Sequence, residues 1–166
     1  MLFTLCILIF AVATALIPLL ALTISKIYKV RIYTASPLLP LLAAVLFVIS
    51  FYLPTIPISS ETSTFQQHFV GGGIYSALLY IYIAQLLGKR HVNLLLDTFL
   101  LFAWVSTLGV ANKLIEFVLF QSGLMALDMS DAYWDLLANT LGALTFYYIV
   151  FLLKKSIELI RGRHQL

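Results

Sequence analysis

The chain carries very little charge. Only 10% of its 166 residues are Asp, Glu, Lys or Arg, against about 25% in an ordinary soluble domain. Apolar residues make up 62%, and the mean hydropathy is +1.03. A surface this poor in charge would aggregate in water, so a water-soluble fold is excluded and a membrane protein is expected. Cysteine is nearly missing too. Cys6 stands alone, which excludes an intramolecular disulfide framework and a Cys-based zinc site. There is no P-loop, no Gly-x-Ser-x-Gly, no Ser/His/Asp order and no His-Glu-x-x-His. No established catalytic motif therefore marks the chain as an enzyme. No internal repeat or low-complexity tract is present, so the inverted repeats typical of alternating-access carriers are lacking. No basic residue precedes the first apolar run, which is longer than a signal-peptide core, so a retained first span is expected.

What the chain does have is long apolar runs. A span needs about 20 such residues. Five are expected, at 2–25, 37–53, 67–87, 94–120 and 136–153, the second short and the fourth long enough to tilt. The expected fold class is an all-α integral membrane bundle of five transmembrane helices, one domain over residues 1–166. Charge alternates between the connections. Lys26, Lys29 and Arg31 follow the first run, Lys89, Arg90 and His91 the third, and Lys154, Lys155, Arg161 and Arg163 the fifth. The other two connections hold Glu61, and Asp128, Asp131 and Asp135, with no Lys or Arg. Basic loops stay cytoplasmic, so the N-terminus is expected outside and the C-terminus in the cytoplasm, in a multipass protein of the cell membrane. Topology accounts for the basic clusters, and no nucleic-acid partner is expected; the lipid bilayer is the expected surrounding. Nothing in the sequence names a cofactor or an oligomeric state.

Polar residues inside such runs are costly, at about 2.5–3.5 kcal/mol for a charge at mid-helix, and they turn inward and pair. Asp131, Asp135, Asn139 and Gly142 are spaced four, four and three apart, on one helical face. His68 opens the third span, and Asn112, Lys113 and Glu116 lie in the last third of the fourth. By topology all of them reach the outer leaflet, so one polar cluster is expected from His68, Lys113, Glu116, Asp131, Asp135 and Asn139. Several roles are open. His68 is either a metal ligand or proton carrier, or an interfacial histidine bonded to a loop carbonyl. Glu116 with Lys113 is either a functional acid beside a binding cation or a structural ion pair. Asp131 fits a helix start. Asp135 sits a turn deeper, and Asn139 suits a bridge between helices. Asp97, at the cytoplasmic end, is expected to pair with Lys89, Arg90 or Lys154. Gly71, Gly72 and Gly73 suit close helix packing together with Gly142, or else a local break beside His68. Tyr133 and Trp134 suit an interfacial belt.

The stretch Asp135-Leu-Leu-Ala-Asn139-Thr-Leu-Gly142 resembles the C-terminal D-x3-N-x2-G signature of the VanZ-like family of small bacterial membrane proteins. His68-Phe69 and Ile115-Glu116-Phe117 are similar to its His-Phe pair and to the acidic residue of the preceding span. Order and spacing agree over about residues 60–153. The family's acid shortly before the histidine has no counterpart in 62–67. The resemblance implies a multipass protein of the cell envelope, with some relatives linked to glycopeptide antibiotic resistance. Three functions compete. The first is binding of an amphipathic or lipid-linked ligand at the outer polar cluster. The second is a metal-dependent membrane enzyme acting on a lipid or cell-wall precursor, with His68, Glu116 and Asp135 as candidate ligands. The third is a conduit.

Overall fold

The computed structural model describes residues 2–29, 31–58, 61–88, 93–123 and 131–163. Lys89, Arg90, His91 and Asp128 lie outside them. Among the described residues, the regular structure is helical apart from one small hairpin. Helix α1 (Leu2–Ala15) leads into α2 (Ile17–Tyr28), then α3 (Leu38–Ser50). Strands β1 (Ile56–Ile58) and β2 (Glu61–Ser63) pair antiparallel, with Ile56 opposite Ser63. A single turn of helix, α4 (Phe65–His68), runs through a π-helical segment (Phe69–Ile74) into α5 (Tyr75–Leu86). Two long helices follow, α6 (Leu94–Gln121) and α7 (Asp131–Arg163).

Among the described residues, three helices are long and apolar enough to cross a membrane: Phe65–Leu86, Leu94–Gln121 and Ala132–Arg161. A fourth crossing is available if the bent pair Thr4–Ala15 and Ile17–Tyr28 counts as one span. The expected first span is thus not straight but bends by 48° at its middle. Pro18 explains the bend. It has no N–H to give to the carbonyl four residues back, and its ring crowds that carbonyl. The helix resumes with Pro18 in its first turn, where the missing donor does no harm. The expected second span also differs. Its helix is only 13 residues, Leu38–Ser50, about 20 Å at 1.5 Å per residue, against roughly 30 Å of hydrocarbon.

Helix α5 is the centre of the bundle. Tyr75 to Tyr82 are all buried, as is Ala84, which is the mark of a helix enclosed on every side. Of the span Phe65–Leu86, 61% is buried, against 22% and 28% for the other two. One core cluster joins Ala77, Tyr80 and Ile81 of α5 to Leu101 and Val105 of α6 and to Ala143 and Tyr147 of α7. A second joins Tyr75, Leu78 and Leu79 to Ala43 of α3. The outward faces of α6 and α7 remain apolar, with Leu95, Phe99, Leu114, Val118, Leu152 and Leu153 exposed. That is the pattern of side chains solvated by lipid.

Helix ends are chemically marked. Asn93 caps α6, its side chain accepting from Leu95 N (3.0 Å) and Leu96 N (3.2 Å). Gly88 (φ 63°) and Gly123 (φ 69°) follow α5 and α6 in the left-handed conformation, which a residue with a Cβ adopts only at a cost. Between α6 and α7 the register is antiparallel, set by Thr98 beside Tyr148 (2.8 Å) at one end and Lys113 beside Asp135 at the other.

Candidate functional site

The site begins with α7. Asp135, Asn139 and Gly142 share the face that packs on the π-helical segment, as the spacing of four and three requires. Gly142 lies so close to this segment that a Cβ would strike the Phe69 carbonyl oxygen. A Cβ on Gly73 would come within 2.6 Å of the Asn139 carbonyl oxygen and 2.8 Å of Gly142 Cα. Gly72 faces the Asn139 side chain and Gly71 the Ser50 side chain. Three consecutive glycines thus meet α7 and α3 closely, Gly73 at backbone distance and its two neighbours at side chains.

The π-turn matters for what comes before it. Widening one turn by a residue rotates the preceding chain by about 100° relative to a regular α-helix. His68 therefore meets Asp135, while Tyr75 and Leu78 still face the core. His68 Nε2 lies 3.2 Å from Asp135 Oδ1. Thr64, one turn earlier, donates its hydroxyl to the same oxygen at 3.0 Å rather than capping α4. On the other side, Lys113 Nζ reaches Asp135 Oδ2 at 2.5 Å and Glu116 Oε2 at 2.7 Å. Asn112 Nδ2 donates to Glu116 Oε1 at 2.6 Å. A continuous chain of polar contacts runs from Thr64 and His68 through Asp135 and Lys113 to Glu116 and Asn112.

Burial is uneven along it. The Asp135 side chain is 4% exposed, those of Lys113 and Glu116 20% each, and that of His68 24%. Asp135 is thus the buried hub. His68, Lys113 and Glu116 form the accessible rim. A carboxylate this buried needs full pairing, and it holds three donors at once. The ammonium of Lys113 sits between the two carboxylates, the position a divalent ion would take in bridging them. Among the described residues, no three His, Cys, Asp or Glu side chains come together as a metal-holding group.

Four of the six expected cluster residues, His68, Lys113, Glu116 and Asp135, are directly joined. Asn139 lies one turn deeper, 7% exposed, between Gly72 and Gly109, with its Oδ1 lacking any hydrogen-bond partner among the described residues. It touches two other helical segments by packing, without the expected hydrogen bond across. Asp131 heads α7, and its side chain falls outside the description. Thr64 is the member that sequence reasoning missed. The signal was its place four residues before His68, on the same face. At the far end of the bundle Asp97, 4% exposed, accepts from Tyr147 OH at 3.3 Å, while Lys89 and Arg90 lie outside the described residues.

Fold and site together describe a mainly helical protein with several helices long and apolar enough to cross a membrane and a buried ion-pair hub. No family model, curated protein or solved structure matches the chain.

Proposed function

We propose that this is a VanZ-like multipass protein of the cell membrane whose polar cluster binds the polar group of an amphipathic or lipid-linked envelope ligand. The carrying observation is the rim of three chemically different groups, His68, Lys113 and Glu116, on a buried Asp135. Depth supports it. From Asp135 to Lys154 is 19 residues of α7, about 28 Å at 1.5 Å per residue, nearly one hydrocarbon thickness. With Lys154 and Lys155 at the cytoplasmic boundary, the cluster sits at the opposite headgroup level, where an amphipath presents its polar end. The charge alternation supports an outside N-terminus and a cytoplasmic C-terminus. Five crossings require α3 to serve as a short span, with the bilayer thinned around it. The resemblance of Asp135-x3-Asn139-x2-Gly142, His68-Phe69 and Glu116 to the VanZ-like family supports the envelope setting. A link to glycopeptide resistance rests on that resemblance alone.

The metal-enzyme reading is the weaker one, because the Lys113 ammonium already occupies the position between Asp135 and Glu116. The test is alanine substitution at His68, Glu116 and Asp135 in the native host, with envelope integrity and glycopeptide susceptibility scored. At least two of the three should change the phenotype while the protein still reaches the membrane. Three folded, inserted variants with an unchanged envelope would remove the site. A C-terminal fluorescent fusion should be bright in the cytoplasm; an external C-terminus would overturn the orientation.

A further inference from the structure

The end of the bundle that carries the cluster is short of positive charge. The sequence of segments 54–68 and 111–139 contains five carboxylates, Glu61, Glu116, Asp128, Asp131 and Asp135. Against them stand one Lys, Lys113, and one His, His68. Among the described residues of these segments Lys113 is the only Lys or Arg, and it is committed to Asp135 and Glu116 at once. A phosphate or carboxylate approaching the rim would have to take Lys113 from two carboxylates, one of them buried. It would leave Asp135 with its charge uncompensated in a low dielectric, the arrangement that costs most.

A cation meets the opposite situation. Glu116 is partly exposed and gives one oxygen to Lys113 and the other to Asn112; each carboxylate oxygen has a second lone pair. Separately, the Asn139 carbonyl is an acceptor without a donor among the described residues, more than nine-tenths buried and one turn below Asp135 on the same face. Excess negative charge and an orphan acceptor call for the same ligand chemistry: a positively charged group bearing N–H donors. We infer that the cluster is selective for a cationic, amine-bearing amphipath over an anionic one, with Glu116 as the contact residue and Asp135 as the positioning residue behind it. This rests on the ligand-binding reading above.

The experiment uses the full chain in nanodiscs of phosphatidylcholine, with the thermal midpoint followed as dodecylamine, dodecyl phosphate or dodecanol is added. Dodecylamine should raise Tm in a saturable way and bind at least about tenfold more tightly than dodecyl phosphate, a modest difference for one unit charge at contact distance. The Glu116→Gln variant, which keeps the hydrogen-bonding shape, should lose that preference. Lys155→Gln at the other end of the bundle should keep it. Should Glu116→Gln fail to fold, direct competition between amine and phosphate on the unsubstituted protein decides the matter. If the phosphate binds more tightly, and His68→Gln abolishes its effect, the ligand class is wrong while the site stands. If no amphipath shifts Tm, or all three shift it equally in every variant, both readings fall.

Discussion

Replacing Lys113 by Met tests the energetic logic of the hub. The substitution keeps most of the apolar stem and removes the ammonium. Asp135, 4% exposed, is left with Thr64 and His68, while Glu116, 20% exposed, keeps Asn112 and gains water. Breaking a buried pair by removing one partner costs about 3–5 kcal/mol. The lower figure applies here, since Lys113 itself keeps 20% exposure. An i,i+3 pair that reaches solvent contributes only about 0.2–0.5 kcal/mol. Nearly all of the loss should therefore come from Asp135. In thermal unfolding in detergent micelles, a loss of about 3 kcal/mol lowers Tm by roughly 6–12 °C for a chain of this length. Double-mutant cycles separate the partners. Lys113→Met combined with Asp135→Asn should recover most of the loss, with a coupling of about 2–3 kcal/mol. The same cycle with Glu116→Gln should give about 0.5 kcal/mol or less. Equal couplings, or an unchanged Tm in Lys113→Met, would refute the claim that burial makes Lys113 the counter-ion of Asp135.

Three further outcomes follow from the same geometry. Gly72→Ala places a methyl on the Asn139 amide and should lower the folded yield in membranes; Asn139→Ala in the same chain should restore it, and failure to restore would mean that the clash is elsewhere. Asn139→Leu keeps the branching of the side chain but removes the orphan acceptor, and should raise Tm by about 2–12 °C, since an unpaired buried polar group costs about 1–3 kcal/mol; a fall in Tm would show the amide to be satisfied. With Cys6 replaced and cysteines placed at 68 and 135, oxidative cross-linking should be efficient. It should persist when one of Gly71–Gly73 is deleted, which turns the π-segment into α-helix without rotating His68, and drop when an alanine is inserted there; the reverse order would overturn the role given to the π-turn.

The polar stripe on the last helix was legible because it depends only on spacing. Residues four apart on a helix share a face whatever surrounds them, so Asp135 and Asn139 were visible as a pair before any packing was known. Lys113 and Glu116 were legible as neighbours for the same reason. The contact of His68 with Asp135 was readable only as a shared depth. The direction of His68 depends on a π-turn, and Gly71–Gly73 allow a wide turn, a break and a packed helix equally well. The break at Pro18 was marked by its residue, yet hydropathy averaged over 2–25 conceals it. The short second helix was hidden likewise, because apolar residues outside the helix raise a window as well as those within it.

The sequence by itself determined that this chain is helical, that its helices are apolar enough to cross a membrane, and which residues are too polar to face lipid. These follow from transfer energies and helical periodicity, which are local and sum along the chain. Tertiary structure alone decided that Asp135 is the hub and that Lys113 bridges it to Glu116. It also decided that Thr64 joins the hub while Asn139 keeps an unpaired carbonyl. Those depend on how α7, α6 and the π-segment dock, within fractions of an ångström set by glycines on three different segments, and no periodicity encodes a distance between helices.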